Sequence, residues 1–273
     1  MPGLVPGIHA CTEKKREDVD RRGKPGHAVT GRNNNMNPWD HPLVNKGMRT
    51  QLATRRARIA AGEQPLGWKV GLGAPASLEK LGIAAPAVGY LMQGAQLASG
   101  ATVSFKDYVR PVAEIEIAVR MARDLAGDAT AADALAAIDS IRPAIEIADL
   151  DLVPAPDNLD AVLARNIFQR HVLLGEQSRA GGGLDGVVSR LIRRGVEANN
   201  TSDPEALTGK LLDTVAHVAN TLAAFGETLA AGDVIITGSI TPPLIIESDE
   251  TGLTHALDPI GEVSVAFRHD EPA

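Results

Sequence analysis

The sequence predicts an α+β fold that is mostly β. Short runs of β-branched and apolar residues, bounded by glycine and proline, recur along the chain and are typical of strands. Only a few segments carry apolar residues at the spacing of an amphipathic helix. Strands and helices do not alternate regularly, which argues against a parallel sheet built from β-α-β units. We therefore expect a domain built mainly from strands.

Four segments are predicted to be helices. The first is basic and ends near Gly62, and the third begins at Thr130, whose hydroxyl can cap the first turn. The last has the clearest pattern, because leucine, valine and phenylalanine residues recur on one stripe of its surface. The predicted helices are Leu43–Ala61, Pro75–Leu81, Thr130–Ser140 and Leu211–Leu229.

The predicted strands are apolar segments separated by turn-forming residues. Arg194-Gly195 between two of them indicates a hairpin, and the segment that begins at Val234 ends in hydroxyl side chains. In chain order the strands cover Leu66–Leu72, Val88–Met92, a segment that opens at Val103, Arg110–Met121, Arg142–Ala148, Asn166–Leu174, Val187–Ile192, Val196–Asn199, Val234–Ser239 and Val263–Phe267.

Composition and charge exclude several classes of protein. The chain has 273 residues, of which 44% are hydrophobic and only 3% aromatic, so aliphatic residues must fill the core. No apolar run approaches the roughly 18 residues that a membrane-spanning helix needs. The formal net charge of −7 argues against binding to a nucleic-acid backbone. The single cysteine, Cys11, allows no internal disulfide, which fits a reducing cytoplasm.

Residues 1–36 differ in composition from the rest. They combine a charge run, Glu13–Arg22, with several glycines and Asn33–Asn35, and they show no hydrophobic period. They contain no apolar stretch long enough for a signal peptide. We expect a disordered or mis-annotated N-terminal extension over residues 1–36 and a single domain over residues 37–273.

Three glutamates lie in strands that are otherwise apolar. Glu114 and Glu116 are two residues apart, so their side chains share one face at a spacing of about 6–7 Å. Glu146 lies between isoleucines in another strand. Such carboxylates repel one another without a positive charge between them, and together they form an all-oxygen set that suits Mg²⁺ or Mn²⁺. The alternative is a solvated strand face on which Glu and Ile alternate.

Two further polar features have two interpretations each. Lys69, the lone charge between Gly67 and Gly71, either extends to solvent or lies desolvated beside an acidic site, where it would transfer protons. Thr237-Gly238-Ser239 is either a turn that ends a strand or a set of hydroxyl and N–H groups that binds a substrate carboxylate.

Eight short segments, in their order along the chain, resemble those of the fumarylacetoacetate hydrolase superfamily. The resemblance is to its branch of 2-keto-4-pentenoate hydratases and 2-oxo-3-hexenedioate decarboxylases. The resemblance extends from Leu66 to Phe267. The hydrolase branch typically has an aspartate as third metal ligand, whereas this chain has Glu146. The N-terminal helical section of the hydratases is longer than residues 37–64, which leaves the substrate open. The matching segments are Gly67–Leu72, Leu81–Ile83, Val88–Tyr90, Pro111–Glu116, Pro143–Ile147, Leu222–Gly226, Ala231–Asp233 and Thr237–Ser239.

The resemblance implies a mixed β-sheet roll with peripheral helices, which assembles as a homodimer or higher homo-oligomer. It implies that residues 37–273 are a catalytic domain, that Glu114, Glu116 and Glu146 bind Mg²⁺ or Mn²⁺, and that Lys69 is catalytic. The implied substrate-binding residues are Leu72, Thr237 and Ser239.

The implied activity is that of a cytoplasmic lyase. It is a metal-dependent hydratase of a short unsaturated 2-oxo or 2-hydroxy acid, such as 2-hydroxypenta-2,4-dienoate, that works through a metal-stabilised enolate. The alternatives are a 2-oxo-enedioate decarboxylase, a C–C hydrolase of the acylpyruvate or fumarylacetoacetate type, and a catalytically silent metal-binding homologue. A purely structural sheet protein, the remaining alternative, predicts no bound cation.

Overall fold

Two β-sheets and five α-helices make up residues 37–150 and 158–269, the part of the chain that the computed structural model describes. The helices are α1 (Pro42–Ala60), α2 (Pro75–Leu81), α3 (Ala131–Ala137), α4 (Leu159–Ala164) and α5 (Leu211–Ala224). The strands are β1 (Pro65–Gly71), β2 (Ala87–Met92), β3 (Gln96–Leu97), β4 (Ala101–Ser104), β5 (Pro111–Met121), β6 (Ile138–Asp149), β7 (Gln169–Leu174), β8 (Arg179–Ala180), β9 (Val188–Arg193), β10 (Val196–Thr201), β11 (Val234–Ile236), β12 (Leu244–Ile245), β13 (Gly252–Asp258) and β14 (Gly261–Arg268).

The larger sheet has nine strands within the described residues and is mixed. Its order is β2-β1-β11-β5-β6-β7-β3, with β12 beside β5 and β8 beside β6. Most neighbours are antiparallel, but β1 pairs with β11, and β3 with β7, in parallel. The smaller sheet has the order β10-β9-β13-β14-β4, and its strands β13 and β14 pack against β6. This mixed, mostly antiparallel arrangement confirms the predicted fold class.

The strands β5 and β6 lie inside the larger sheet and are buried on both faces. Ile115 and Ile117 in β5 and Ile145 in β6 lie on one face and are at most 2% exposed, and Ala118 and Ala144 on the other face are at most 1% exposed. The helix α5 belongs to the same apolar core through side chains such as Val215. Because neither strand has a solvent face in this region, any acid that they carry is desolvated.

The helix α3 begins as predicted and ends earlier. Thr130 caps its first turn in a reciprocal capping box with Asp133. The prediction extended this helix to Ser140, but the chain turns extended at Ile138 and continues into β6. The residues lost from the helix, Ile138, Asp139 and Ser140, have weak helix propensity, and Ile138 and Ser140 pair with β5 instead.

The predicted strand Asn166–Leu174 begins only at Gln169, as β7, because positive φ angles at residues 166–168 take them out of the extended conformation. Two further predicted elements end earlier than expected. The helix α5 ends at Ala224 rather than Leu229, because Gly226 adopts φ of 74°, the left-handed conformation that terminates helices. The strand β11 ends at Ile236, and the hydroxyl residues that follow leave the sheet. The elements that were not predicted are α4, β3, β8, β12 and β13.

The strand β13 was missed because of one residue. Its inward positions carry Leu253, His255 and Leu257, all buried. A histidine at an inward position hides the alternation that identifies a strand from sequence. The two ring nitrogens of His255 are satisfied by Ser189 and by the carbonyl of Ala144, which makes this burial tolerable.

The described residues fall within one compact unit of the chain. That residues 37–273 form a single catalytic domain stays a prediction, and the prediction for residues 1–36 lies outside the described residues. No helix in the described ranges is both long enough and apolar enough to cross a membrane.

Candidate functional site

The strands β5 and β6 bring the three predicted acids together. They pair antiparallel, with Glu114 directly opposite Glu146 and with Glu116 two residues further along β5. One carboxylate oxygen from each side chain lies within 4.8 Å of the other two. We call these three residues the glutamate cluster. In the described ranges it is the one group of three or more acidic, histidine or cysteine side chains close enough to hold a metal ion.

Burial and the neighbouring carboxylates oppose the ionisation of Glu114 and Glu116. Glu116 and Glu146 are fully buried, and Glu114 is partly buried. Burial, and next the charge of Glu146, raises the pKa of Glu114 to about 7. Burial, followed by the charges of Glu146 and Glu114, raises the pKa of Glu116 well above its ordinary value. A cation held between them would favour the charged form of all three.

Two oxygens of the glutamate cluster have no hydrogen-bond partner among the described residues. They are Glu116 Oε1 and Glu146 Oε2, both buried. The other oxygen of Glu116 accepts a hydrogen bond from the backbone N–H of Gly238 at 2.6 Å, which fixes the orientation of the side chain. Buried polar atoms are ordinarily paired. Unpaired carboxylate oxygens from one close cluster fit a hard divalent cation.

Lys69 is the counter-charge of the glutamate cluster. It is 1% exposed, and its ammonium donates hydrogen bonds to Glu146 and, at 3.3 Å, to the carbonyl of Ile167. Burial lowers the pKa of Lys69, but the surrounding carboxylates, Glu146 foremost, outweigh it and raise the pKa above its ordinary value. Lys69 therefore lies desolvated beside the acids. One ammonium among three carboxylates leaves an excess of negative charge, which a further cation would offset.

The position of Lys69 is set by close backbone packing of β1. Lys69 lies opposite Ile236 in the parallel pair of β1 and β11, and Gly67 lies opposite Val234. A Cβ on Gly67 would stand 2.0 Å from the carbonyl oxygen of Val234, so only glycine allows this approach. On the other side, a Cβ on Gly89 would stand 2.8 Å from Cγ of Lys69. Two glycines thus give room to the lysine and its strand.

A left-handed turn, which the sequence did not reveal, carries the carbonyl that accepts from Lys69. Asn166, Ile167 and Phe168 have φ of 56°, 49° and 63°. Such conformations cost roughly 1–2 kcal/mol per residue and persist where the surroundings hold them. The Asn166 side chain does so, because it accepts from the N–H of Tyr90 at 2.7 Å and donates to the carbonyl of Tyr90 at 2.8 Å.

A cavity of ≈260 Å³ opens beside the glutamate cluster. Glu114 is among the residues that line it, whereas Lys69, Glu116 and Glu146 are not. The volume is slightly below the roughly 300–1,000 Å³ that is common for drug-sized ligands, which indicates a small ligand. The residues that the resemblance assigned to substrate binding and that line this cavity are Leu72, Thr237 and Ser239.

The hydroxyls on the cavity wall differ in what they already bind. Thr237 Oγ1 donates to the carbonyl of Ile117 at 3.0 Å, so its one proton is engaged. Ser239 Oγ and Thr241 Oγ1 are buried without a partner among the described residues. The protons of these two hydroxyls are therefore not engaged by any described residue. Thr241 was not singled out from sequence, although it continues the alternation of Thr237 and Ser239.

The chain is similar to proteins of one family. Residues 68–264 match the family model described as fumarylacetoacetate (FAA) hydrolase C-terminal. The 2-hydroxyhexa-2,4-dienoate hydratase of Comamonas testosteroni is 29% identical over 235 residues, which cover 84% of this chain and 88% of that protein. The 4-oxalocrotonate decarboxylase of Pseudomonas putida is 28% identical over 222 residues, which cover 80% of this chain and 83% of that protein.

Solved structures share the fold. The 4-oxalocrotonate decarboxylase from Pseudomonas putida G7, complexed with magnesium and adipate, superposes with a TM-score of 0.75 at 26% identity, covering 86% of this chain and 87% of that one. The fumarylpyruvate hydrolase from Pseudomonas aeruginosa in complex with Mn²⁺ and pyruvate has a TM-score of 0.57 at 15% identity, covering 74% and 89%. At that identity the likeness shows the fold alone.

Proposed function

Because the chain belongs to the fumarylacetoacetate hydrolase family, we propose that it is a metal-dependent lyase that hydrates a short unsaturated 2-oxo or 2-hydroxy acid. A representative substrate is 2-hydroxypenta-2,4-dienoate. The observation that carries the proposal is the glutamate cluster, which is buried, repulsive and only partly hydrogen-bonded. Relatives named as hydratases, at 26–29% identity and with most of each chain covered, support the reaction class.

Glu114, Glu116 and Glu146 would hold Mg²⁺ or Mn²⁺. The magnesium complex of the related decarboxylase supports this choice. When bound, the cation supplies a Lewis acid that stabilises negative charge on a substrate oxygen. One oxygen of Glu146 accepts a hydrogen bond from Lys69, and the other has no partner among the described residues. This carboxylate can therefore bind Lys69 and the cation at the same time. The N–H of Gly238 keeps Glu116 turned into the cluster.

Lys69 is the proposed proton carrier. Hydration of a 2-hydroxydienoate removes the proton of the 2-hydroxyl, adds a proton at C5, and then adds the oxygen of water to C4 and its proton to C3. The raised pKa of Lys69 keeps its amine protonated at neutral pH, so it can give a proton to the substrate and take one back. The Ile167 carbonyl holds the ammonium in place between transfers.

Ser239 and Thr241 are proposed to bind the substrate carboxylate. Both residues line the cavity and their buried hydroxyls lack a partner among the described residues, so a carboxylate that reached them would satisfy two buried donors. Leu72 and Thr237 shape the same wall. With the carboxylate fixed there, the reacting carbons extend along the cavity beside Glu114.

Decarboxylation of a 2-oxo-enedioate is the second candidate. The hydratase of C. testosteroni and the decarboxylase of P. putida are 29% and 28% identical to this chain, a difference too small to decide between the reactions. The structural similarity to the solved 4-oxalocrotonate decarboxylase, with a TM-score of 0.75, supports decarboxylation as the second candidate reaction. Both reactions would use the same metal ligands and the same lysine, and they differ in the group at the far end of the substrate.

The substrate is a small molecule, and we also propose that the protein is a cytoplasmic homodimer or larger homo-oligomer. The strand β10 supports the assembly, because it is an edge strand whose residues are mostly exposed and include Val196, 68% exposed. Light scattering of the purified protein tests the proposal, and a monomeric mass would contradict it.

The function is tested with purified protein, Mg²⁺ or Mn²⁺, and 2-hydroxypenta-2,4-dienoate, by following the loss of dienoate absorbance. We expect turnover that stops when the metal is chelated and returns when it is restored. Glu116→Gln should abolish both turnover and the calorimetric signal of Mn²⁺ binding. Glu262→Gln, an exposed glutamate of β14, is the matched control and should change neither.

Each rival predicts a different result in the same assay. Full turnover after chelation would contradict the metal-dependent scheme. Strong Mn²⁺ binding without turnover of any short 2-oxo acid would indicate the catalytically silent homologue. Cleavage of an acylpyruvate in place of dienoate hydration would indicate the hydrolase, and the absence of bound Mn²⁺ would indicate a structural protein.

A further inference from the structure

The left-handed turn at residues 166–168 contains no glycine. Its central residue, Ile167, is β-branched and has φ of 49°, a conformation that such residues rarely adopt. Ile167 also supplies the carbonyl that accepts a hydrogen bond from Lys69 at 3.3 Å. Backbone in a disfavoured conformation persists only where the surrounding structure fixes it, and it is concentrated at functional sites. The contacts that fix this turn therefore also fix the carbonyl beside Lys69.

The amide of Asn166 anchors the turn to the edge of the larger sheet. Among the described residues, β2 is the outermost strand on that side of the sheet. Asn166 fills its open edge, because the amide accepts from the N–H of Tyr90 and donates to the carbonyl of the same residue, and both bonds are buried. Tyr90 follows Gly89, which lies opposite Lys69 in the pair of β1 and β2. The turn is thus attached to the backbone segment that faces Lys69.

The side chain of Ile167 holds the turn from the other side. Ile167 is buried, and a Cβ on Gly71 would stand 3.1 Å from its Cγ2. Ile167 therefore packs directly on the backbone of β1, two residues beyond Lys69. On β2, a Cβ on Gly89 would stand 2.9 Å from Oδ1 of Asn166. Contacts with two neighbouring strands thus define where the Ile167 carbonyl lies.

Two acceptors determine how the ammonium of Lys69 is oriented. An ammonium has three N–H donors and rotates about its Cε–Nζ bond. One donor of Lys69 binds Glu146, a second binds the Ile167 carbonyl, and the third is not engaged by any described residue. With two donors held, the tetrahedral geometry of the nitrogen fixes the direction of the third. Without the Ile167 carbonyl, Glu146 would hold the ammonium alone.

We propose that Asn166 is a positioning residue for proton transfer by Lys69. This inference rests on the proposed function. Asn166 fixes the turn, the turn places the carbonyl of Ile167, and that carbonyl sets the direction in which Lys69 gives and takes its proton. Asn166 does not line the cavity and is not one of the proposed metal ligands. Its loss should therefore slow proton transfer without weakening the binding of substrate or metal.

Asn166→Gly tests the inference, because glycine adopts the left-handed conformation readily but has no amide. With Mg²⁺ and 2-hydroxypenta-2,4-dienoate, we expect kcat to fall about a hundred-fold, the order of loss that a displacement of about 1 Å causes. KM and the calorimetric affinity for Mn²⁺ should stay within about two-fold of those of the unaltered protein. The solvent deuterium isotope effect on kcat should rise, because proton transfer becomes the slow step.

Asn166→Asp is the second variant and carries the same test if the glycine variant does not fold. Its carboxylate keeps an acceptor for the N–H of Tyr90 and loses the donor to the carbonyl. We expect kcat to fall about ten-fold, less than in Asn166→Gly, because one of the two bonds remains. This partial rescue distinguishes the two hydrogen bonds from a general need for asparagine at this position.

Asn220 provides a matched control, because it makes the same pair of bonds elsewhere in the chain. Its amide accepts from the N–H of Ala129 at 2.7 Å and donates to the carbonyl of Ala129 at 3.0 Å. These bonds join α5 to the segment before α3, and neither residue lines the cavity. Asn220→Ala should lower the thermal stability and leave kcat unchanged, as expected of a purely structural bond pair.

A measurement without turnover examines Lys69 directly. The exchange of its ammonium protons with water is followed by NMR in the metal-free protein. Loss of the Ile167 carbonyl as an acceptor should make this exchange about ten-fold faster in Asn166→Gly. Asn220→Ala should leave it unchanged. Equal exchange rates in the unaltered protein and in Asn166→Gly would show that Asn166 does not hold Lys69, and would overturn the inference.

The kinetic outcomes separate this inference from the proposed function. An unchanged kcat in a folded variant of Asn166 would overturn the inference and leave the proposed function standing. An equal loss of kcat in Asn220→Ala, or a loss of Mn²⁺ affinity in Asn166→Gly, would also overturn it, because the effect would then not be specific to Lys69. If the unaltered protein did not hydrate the dienoate, the proposed function would fail and the positioning role with it.

Discussion

Two buried carboxylate groups of this protein differ in how they are balanced. In the glutamate cluster, three carboxylates face the single ammonium of Lys69. At the end of the smaller sheet, the fully buried carboxylate of Glu250 faces two guanidinium groups, those of Arg193 and Arg194. Arg194 also pairs with Asp249 at 2.6 Å, so the positive and negative charges are equal in number there. When its three carboxyl groups are ionised, the glutamate cluster has two more negative charges than positive ones.

The comparison shows which observation identifies a cation site. Glu250 also has a buried oxygen without a partner, Oε1. An unpartnered oxygen alone therefore does not indicate a missing ion. An imbalance of charge does indicate one, because a bound cation stabilises a buried group that has more carboxylates than positive charges.

The largest difference is expected for Glu116→Gln in the glutamate cluster. Turnover should fall a thousand-fold or more, about 4 kcal/mol in activation free energy, because a metal ligand is lost. The metal-free protein should be as stable as before or more stable, since a neutral amide replaces a buried acid whose ionisation burial and its neighbours oppose. Urea unfolding in the presence of a chelator measures this stability. If the variant lost several kcal/mol in the free energy of unfolding and still bound the metal, the glutamate cluster would have a structural role like that of Glu250.

Glu250→Gln should show the opposite behaviour. We expect a loss of about 2 kcal/mol in the free energy of unfolding, because Arg193 loses its charged partner while the more exposed Arg194 keeps Asp249. Mn²⁺ affinity and turnover should stay unchanged. A drop in metal affinity comparable to that of Glu116→Gln would refute the assignment of a purely structural role to Glu250.

His255 offers a pH test in the smaller sheet. Burial lowers the pKa of His255 to about 4, although its bond to the Ala144 carbonyl opposes this. The unfolded chain therefore binds more protons below pH 6.5, and the stability present above that value is lost as the pH falls towards 4. From pH 7 to pH 5 the free energy of unfolding should fall by about 2 kcal/mol through this group. His255→Gln should remove that part of the slope, and an unchanged slope would show that His255 does not titrate on unfolding.

The smallest expected effect separates two neighbouring hydroxyls. Ser239→Ala should raise KM about ten-fold, or roughly 1.4 kcal/mol, with kcat little changed, because a free donor to the substrate carboxylate is lost. Thr237→Val should leave KM nearly unchanged and reduce stability by about 1 kcal/mol, since its proton already binds the Ile117 carbonyl. Equal effects on KM would mean that both hydroxyls contact the substrate, as the family resemblance implies.

The glutamate cluster could be predicted from sequence because its signal is local. Two acids at strand spacing and a third acid between isoleucines are conspicuous in apolar strands, and the structure pairs Glu114 with Glu146 across β5 and β6. The placement of Lys69 beside them was one of two interpretations. The left-handed turn at Asn166 was not predictable, because it is held by a hydrogen bond to Tyr90, distant in sequence. The same holds for the free and engaged hydroxyls, whose partners depend on tertiary contacts.

The parallel pairing of β1 with β11 also dictates when the site can be completed during synthesis on the ribosome. The acids of β5 and β6 are neighbours in the chain, but 122 residues separate Glu116 from Gly238, whose N–H orients it. At about 5–20 residues per second, that interval takes on the order of ten seconds. During that time β11, the strand that lies between β1 and β5, has not been synthesised. The sheet that places Lys69 of β1 beside the acids of β5 and β6 can therefore form only after β11 is made.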